Sequence, residues 1–165
     1  MSTSIRQAIL LLLLAIVLSA ASTGILSDRI PYVGNWPSLA GSNSVIVPPS
    51  AVEGDPPFIS LDEAAAKYQS PNVIFIDARY PEDYDYGHIK DAINLPYEEL
   101  EYFWADVTAG MPKSKEYVIY CSGDECESSL FLGREMLYEG YSDVLVFYGG
   151  WREWERAGLP TERGK

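Results

Sequence analysis

The run Val73-Ile74-Phe75-Ile76 is apolar at every position, whereas a strand with one face in water would alternate. An unbroken run is expected of a strand buried on both faces, as in a parallel sheet covered by helices. The rest of the chain fits that frame. Tyr117-Val118-Ile119-Tyr120 is a second strand-like run, Ala92-Ile93-Asn94-Leu95 a short one ended by Pro96, and Asp143 to Phe147 another. Helical segments lie between them. Ser60-Leu61-Asp62-Glu63 reads as a capping box, with Ser60 as N-cap and Glu63 at N3, opening a short helix through Tyr68. Tyr97 to Ala109 has helical composition, and Ser128 to Glu139 is a helix stopped by Gly140, a natural left-handed cap. Gly149-Gly150 turns the chain into a last short helix, Trp151 to Ala157. The polar, aromatic segment Pro81 to Lys90 reads as a loop. Strands alternating with helices predict an α/β domain with a mainly parallel sheet, starting near Phe58.

In such sheets ligands bind at the carboxyl ends of the strands. Cys121 falls there, between the strand ending at Tyr120 and the helix starting at Ser128. Backbone N–H groups of the loop and the positive end of the helix dipole would stabilise a thiolate, the only nucleophilic form of cysteine. No histidine is placed to act as its base, since His88 is the sole histidine of the chain. The loop Cys121-Ser122-Gly123-Asp124-Glu125-Cys126-Glu127-Ser128-Ser129 carries three carboxylates and no basic residue. These either complement the helix dipole or repel an anionic substrate and raise the thiol pKa. Cys126 is either a small side chain packed at the helix start or a resolving thiol that forms a disulfide with Cys121.

The N-terminal segment reads as a membrane signal. Arg6 is the only charge before residues 8–26, and that run of 19 residues has none. It is just long enough to span a bilayer core as a helix. A secretory signal peptide is the competing reading, with Ser19-Ala20-Ala21 as cleavage site, but the apolar run continues past it to Leu26, which favours an anchor. Either way the positive charge stays inside, so the domain is expected to face the periplasm or outside, or to be secreted if the segment is cleaved. The expected organisation is thus 1–27 as transmembrane anchor or signal, 28–57 as a Pro/Gly-rich linker, and 58–165 as the folded domain. Tyr32 and Trp36 stand either at the membrane interface or on the domain surface. A net charge of −12 argues against nucleic-acid binding and against attraction to anionic lipids, leaving hydrophobic insertion as the route to a membrane. Two cysteines five apart make no disulfide framework and supply too few ligands for a zinc ribbon, and neither metal nor cofactor is expected.

Five motifs, in order and at matching spacing, resemble the rhodanese family. Asp77-Ala78-Arg79 leads into Glu82 and an aromatic; Gly87-His88-Ile89 and Ala92-Ile93-Asn94-Leu95-Pro96 follow. Val118-Ile119-Tyr120-Cys121 resembles the strand that carries the family's catalytic cysteine. Gly140-Tyr141, Gly149-Gly150-Trp151, Trp154 and Gly158-Leu159-Pro160 resemble its C-terminal pattern. The resemblance covers about residues 58–160. It implies a rhodanese-like fold, a central five-stranded, mainly parallel sheet flanked by helices. It also implies sulfane-sulfur transfer through a persulfide on Cys121, cradled by the backbone of Ser122, Gly123, Asp124, Glu125 and Cys126. Partners would be a small sulfur donor and a protein persulfide or thiol acceptor. The alternative is a non-catalytic rhodanese-like module that binds a partner or senses redox state through Cys121 and Cys126.

Asp77, Arg79 and Glu82 either attract anionic donors to the mouth or form an ion-pair network; the two carboxylates around one guanidinium favour the network. His88 is expected to fix its loop, and Trp151 and Trp154 to pack in the core or the pocket wall. Tyr80, Tyr84 and Tyr86 either line the mouth or pack their loop. Many rhodaneses carry Arg or Lys in the loop after the cysteine. Asp124 and Glu125 stand there instead, pointing away from thiosulfate, a dianion, and toward a neutral, protein-bound or polysulfide-like donor. Phosphatases built on this fold need an arginine six positions after the cysteine; Glu127 occupies that position and excludes phosphate.

Overall fold

The structure, a computed structural model, describes residues 5–7, 9–14, 44–123 and 126–164. The chain divides into two units, Met1–Pro37 and Ser38–Lys165. In the first, residues 5–7 and 9–14 are helical, and Ile9 and Leu10 to Leu14 are exposed. Among the described residues no helix is long and apolar enough to cross a membrane. Most of the run 8–26, together with Tyr32 and Trp36, lies outside the described residues.

The second unit is the α/β domain. Its elements are α1 (Leu61–Tyr68), β1 (Val73–Asp77), α2 (Pro81–Tyr86), β2 (His88–Ile89), β3 (Ile93–Asn94), a 3-10 turn (Tyr97–Glu99), α3 (Leu100–Thr108), β4 (Glu116–Tyr120), α4 (Ser128–Tyr138), β5 (Asp143–Phe147), α5 (Gly150–Arg156) and β6 (Thr161–Glu162). The main sheet has the order β3-β1-β4-β5 and is parallel throughout. The capping box forms as expected: Ser60 Oγ accepts from Glu63 N–H, and the Glu63 carboxylate accepts from Ser60 N–H. Such a cap contributes about 1 kcal/mol.

Both faces of the sheet are covered, which explains the unbroken apolar runs. Successive side chains of a strand point to opposite faces. Val118 and Tyr120 join Phe75, Phe147, Trp151 and Trp154 in one core layer. Tyr117, Ile119 and Cys121 join Ile76, Leu132, Met136 and Tyr141 in the other. Cys121 is therefore part of the hydrophobic layer under α4 as well as the first residue of the loop.

Among the described residues the main sheet has four strands, not the expected five. The fifth position, beside β5, holds a single parallel bridge between Phe58 and Val146. Ile59 N–H donates to Val146 O and Val146 N–H to Pro57 O, both at 2.9 Å. Pro56 and Pro57 have no N–H to extend the ladder, and Ser60 turns the chain at once into α1, so pairing stops after one bridge. Two further differences lie in the segment Pro81 to Lys90. Residues expected as a loop form α2, with Pro81 at its first turn and Glu82 and Asp83 at its positive end. His88 and Ile89 then pair antiparallel with Thr161 and Glu162 in a separate two-stranded sheet.

Residues inside the stretch read as linker pack on the domain. The Arg134 guanidinium on α4 holds Asp55 (Nε–Oδ1 2.7 Å) and donates to Ser50 O at 3.1 Å. Ser50 Oγ donates to Glu127.

Candidate active site

β4 ends at Tyr120, and Cys121 starts the connection to α4. The position is fixed from two sides. Ala78 N–H donates to Tyr120 O at 2.9 Å, which locks the end of β4 to β1. Trp151 N–H donates to Cys121 O at 2.7 Å and Arg152 N–H to Ser122 O at 3.2 Å, which docks the loop onto the start of α5. Only glycine permits that docking. Gly150 has φ +63°, and a Cβ on it would lie 2.3 Å from Cys121 O; Gly123 has φ +85°, and its Cβ would lie 2.3 Å from Gly149 O.

The Cys121 side chain is fully buried. Its thiol donates to the carbonyl of Cys126 at 2.9 Å. The Ser129 hydroxyl, 3.5 Å away, and the Gly123 N–H are directed at the sulfur as donors. The two cysteines also interact thiol to thiol. Burial pushes the Cys121 thiol well above the ordinary range, and its contact with Cys126 adds to the rise. Cys126 behaves in the opposite way. The hydrogen bond from the Cys121 thiol, aided by Ser122 and by the Ser128 N–H at the start of α4, lowers its pKa to about 5. Burial thus favours the proton on Cys121, and the start of α4 favours negative charge on Cys126.

Beside this pair opens a mouth of about 210 Å³, lined by Ala78, Arg79, Tyr80, Asp83, Glu98, Ser122, Cys126 and Ser128. Cys126, not Cys121, faces it. Sequence reasoning brought Arg79, Ser122 and Cys126 to this place. It missed Asp83 and Glu98, because only the fold carries α2 and the 3-10 turn to the cysteine loop. Asp124 and Glu125 lie outside the described residues. Glu127 accepts from Ser50, so the acidic groups described at the mouth are Asp83 and Glu98.

Asp77 and Arg79 form the expected buried ion pair, with Nη2–Oδ2 at 2.6 Å and Nε–Oδ1 at 2.9 Å. The guanidinium also donates to Gly87 O at 2.7 Å and lies over the Tyr120 and Trp151 rings. Burial works against its charge, but Asp77 and then Asp83 outweigh it and raise the Arg79 pKa. Glu82 is exposed, and Asp83 replaces it as the second carboxylate acting on Arg79. His88 fixes its loop: its Nδ1 meets Tyr84 O at 2.8 Å and its ring stacks on Tyr84 at 3.7 Å. Trp151 and Trp154 are buried, and Trp154 Nε1–H donates to Pro160 O. Of the three tyrosines, Tyr80 alone lines the mouth; Tyr84 donates to Ala92 O, and Tyr86 stacks under Arg163.

Residues 60–157 match the family described as Rhodanese-like domain. The chain is 32% identical over 106 residues to the HTH-type transcriptional regulator Rv0324 of Mycobacterium tuberculosis, covering 64% of this chain and 45% of that protein. It is 29% identical over 97 residues to the chloroplastic Thiosulfate sulfurtransferase 16 of Arabidopsis thaliana, covering 53% of this chain and 78% of that one. The chain thus spans less than half the length of the regulator. The solution structure of the polysulfide-sulfur transferase homodimer of Wolinella succinogenes shares the fold, with a TM-score of 0.52 at 23% identity over 64% of this chain and 77% of that one.

Proposed function

The chain belongs to the rhodanese-like domain family, and from that premise we propose that it is a sulfurtransferase carrying sulfane sulfur as a persulfide on Cys121. The setting of that sulfur carries the reading: it stands at the end of β4 with the Gly123 N–H and the Ser129 O–H directed at it. Two donors on one sulfur suit an anion better than a neutral thiol. The Cys121 thiolate attacks the outer sulfur of a donor, whose S–S bond breaks as its leaving group departs with the electron pair. An acceptor thiol then takes the outer sulfur and restores Cys121. In the unloaded chain the thiol is held back, because burial and donation to the Cys126 carbonyl both favour the protonated form. Reaction needs that carbonyl to turn aside, leaving the two donors in place.

The mouth favours certain donors. Arg79 is neutralised by Asp77, while Asp83 and Glu98 face the opening. A dianion such as thiosulfate is repelled, and a neutral, protein-bound or polysulfide-like donor fits better. The proposal also includes a single-pass anchor formed by residues 8–26, with the domain on the extracytoplasmic side. Its support is the charge pattern of Arg6, Asp28 and Arg29 around an uncharged run. N-terminal sequencing of the native protein tests this; a first residue after Ala21 would mean a cleaved signal.

The second reading, a non-catalytic binding or redox-sensing module, draws on the full burial of Cys121. Sulfur transfer to cyanide separates the two. With polysulfide as donor, Cys121→Ser is expected to lower thiocyanate formation by at least about a hundredfold. A wild-type rate no higher than the variant's, with thiosulfate and polysulfide alike, would favour the module.

A further inference from the structure

We propose that Cys121 and Cys126 act as a dithiol that expels bound sulfane sulfur as sulfide: Cys126 attacks the loaded Cys121 and closes a disulfide. This deepens the sulfur-carrier reading and rests on it. It assigns a second outcome to the persulfide, reduction inside the protein, beside transfer to an acceptor.

The geometry supplies the parts. The two residues already touch, the Cys121 thiol lying 2.9 Å from the Cys126 carbonyl oxygen. Neither cysteine is bridged to another. They differ in setting as the two members of a working dithiol must. Cys126 lies at the mouth beside Arg79, Ser122 and Ser128, where exchange partners can reach it. Cys121 is enclosed by the layer of Ile119, Leu132 and Met136 under α4. An external thiol reaches a sulfur on Cys121 only past Cys126, whereas Cys126 needs no approach at all. Ser122 and the Ser128 N–H at the start of α4 also favour the Cys126 thiolate, and both remain in place when Cys121 is loaded. An internal nucleophile held in the same loop competes with a dissolved one at a high effective concentration.

The step balances. The Cys126 thiolate attacks Sγ of the Cys121 persulfide. A Cys121 Sγ–Cys126 Sγ bond forms, the bond from Cys121 Sγ to the outer sulfur breaks, and that sulfur leaves as hydrosulfide with the electron pair. The outer sulfur is reduced to sulfide, and the two cysteine sulfurs are oxidised to a disulfide. Hydrosulfide is a good leaving group for such an exchange because it is a weak base. A dithiol reductant then attacks the Cys126 sulfur at the mouth and returns both thiols through a mixed disulfide. Each cycle converts one sulfane sulfur and one dithiol into sulfide and one disulfide.

The test uses the reduced chain, residues 1–165, without oxygen and without added thiol. Wild type and Cys126→Ser are each exposed to inorganic polysulfide, desalted, and read by intact mass and by peptide mapping. Wild type is expected to emerge with a Cys121–Cys126 disulfide and about tenfold less retained sulfur than Cys126→Ser, which keeps one extra sulfur on Cys121. A control lot of wild type, desalted without polysulfide, is expected to keep both thiols. Equal retention of sulfur on Cys121 in the two proteins, with no disulfide in wild type, overturns the inference and leaves the carrier reading intact. Absence of both retained sulfur and disulfide in both proteins overturns the carrier reading itself, and the dithiol step with it. Should Cys126→Ser fail to fold by circular dichroism, the wild-type peptide map alone decides, since a linked Cys121–Cys126 peptide that appears only after polysulfide is the expected product.

Discussion

At the scale of single residues, the site separates charge from burial. The sulfur deepest in the fold keeps its proton, and the sulfur at the mouth gives its proton up. Site-resolved alkylation across pH reads this directly. Cys126 is expected to react at full rate at neutral pH and to lose reactivity as pH falls through about 5, where its thiolate is protonated. Asp83, Glu98 and Arg79 share the mouth with it, and Cys121 lies against it, so all four contribute to the profile. Cys121, raised by burial, is expected to stay unmodified at neutral pH. Equal labelling of both at neutral pH would contradict the assignment. The Asp77–Arg79 pair is the other residue-scale feature. Asp77→Asn keeps the shape and removes the charge, stranding a buried guanidinium. The expected loss is about 3–5 kcal/mol of unfolding free energy in urea. A loss below about 1 kcal/mol would mean that Arg79 is solvated well enough to serve as a donor-attracting charge instead.

At the scale of elements, the cysteine loop is shaped by what it docks against. The Gly149-Gly150 turn lets α5 start directly under Cys121 and Ser122. Gly150→Ala combines a left-handed backbone with a contact of 2.3 Å to Cys121 O, so the loop must shift. The expected result is a loss of about 1–3 kcal/mol together with slowed sulfur transfer. Gly110→Ala is the matched control: nothing lies within 4 Å of its Cβ, and it should stay within about 0.5 kcal/mol of wild type in both readings. A Gly150→Ala protein as stable and as active as the control would show that the loop is not held by α5. Elements with strong local signals were legible in the sequence: the capping box at Ser60, the apolar runs of β1 and β4, and the stop at Gly140. α2 was not, because six residues give no apolar period to read and none of them is buried. β6 was not, because two residues after Pro160 become a strand only through pairing with His88 and Ile89.

At the scale of the whole molecule, the same division holds. Local patterning made the α/β frame readable, and the family motifs placed Cys121 correctly at a strand end. Which thiol is acidic was not readable, since it depends on where the Cys126 carbonyl points and on burial under α4. The destination of Glu127 was hidden for a similar reason: its partner Ser50 is 77 positions away in sequence. That contact and the Arg134–Asp55 pair also tie residues 48–57 to the domain. Arg134→Ala is expected to leave global stability nearly unchanged, because the pair is partly exposed, while speeding protease cleavage between residues 44 and 57. An unchanged cleavage rate would mean that Ser50 and the prolines hold the segment without it. The central claim, that Cys121 carries the sulfur, is tested most directly by rapid quench. The reduced chain is mixed with polysulfide, stopped at short times with an alkylating agent, and mapped by peptide mass. The account predicts that the earliest extra sulfur is on Cys121; an extra sulfur found first and only on Cys126, or on neither residue, would contradict it.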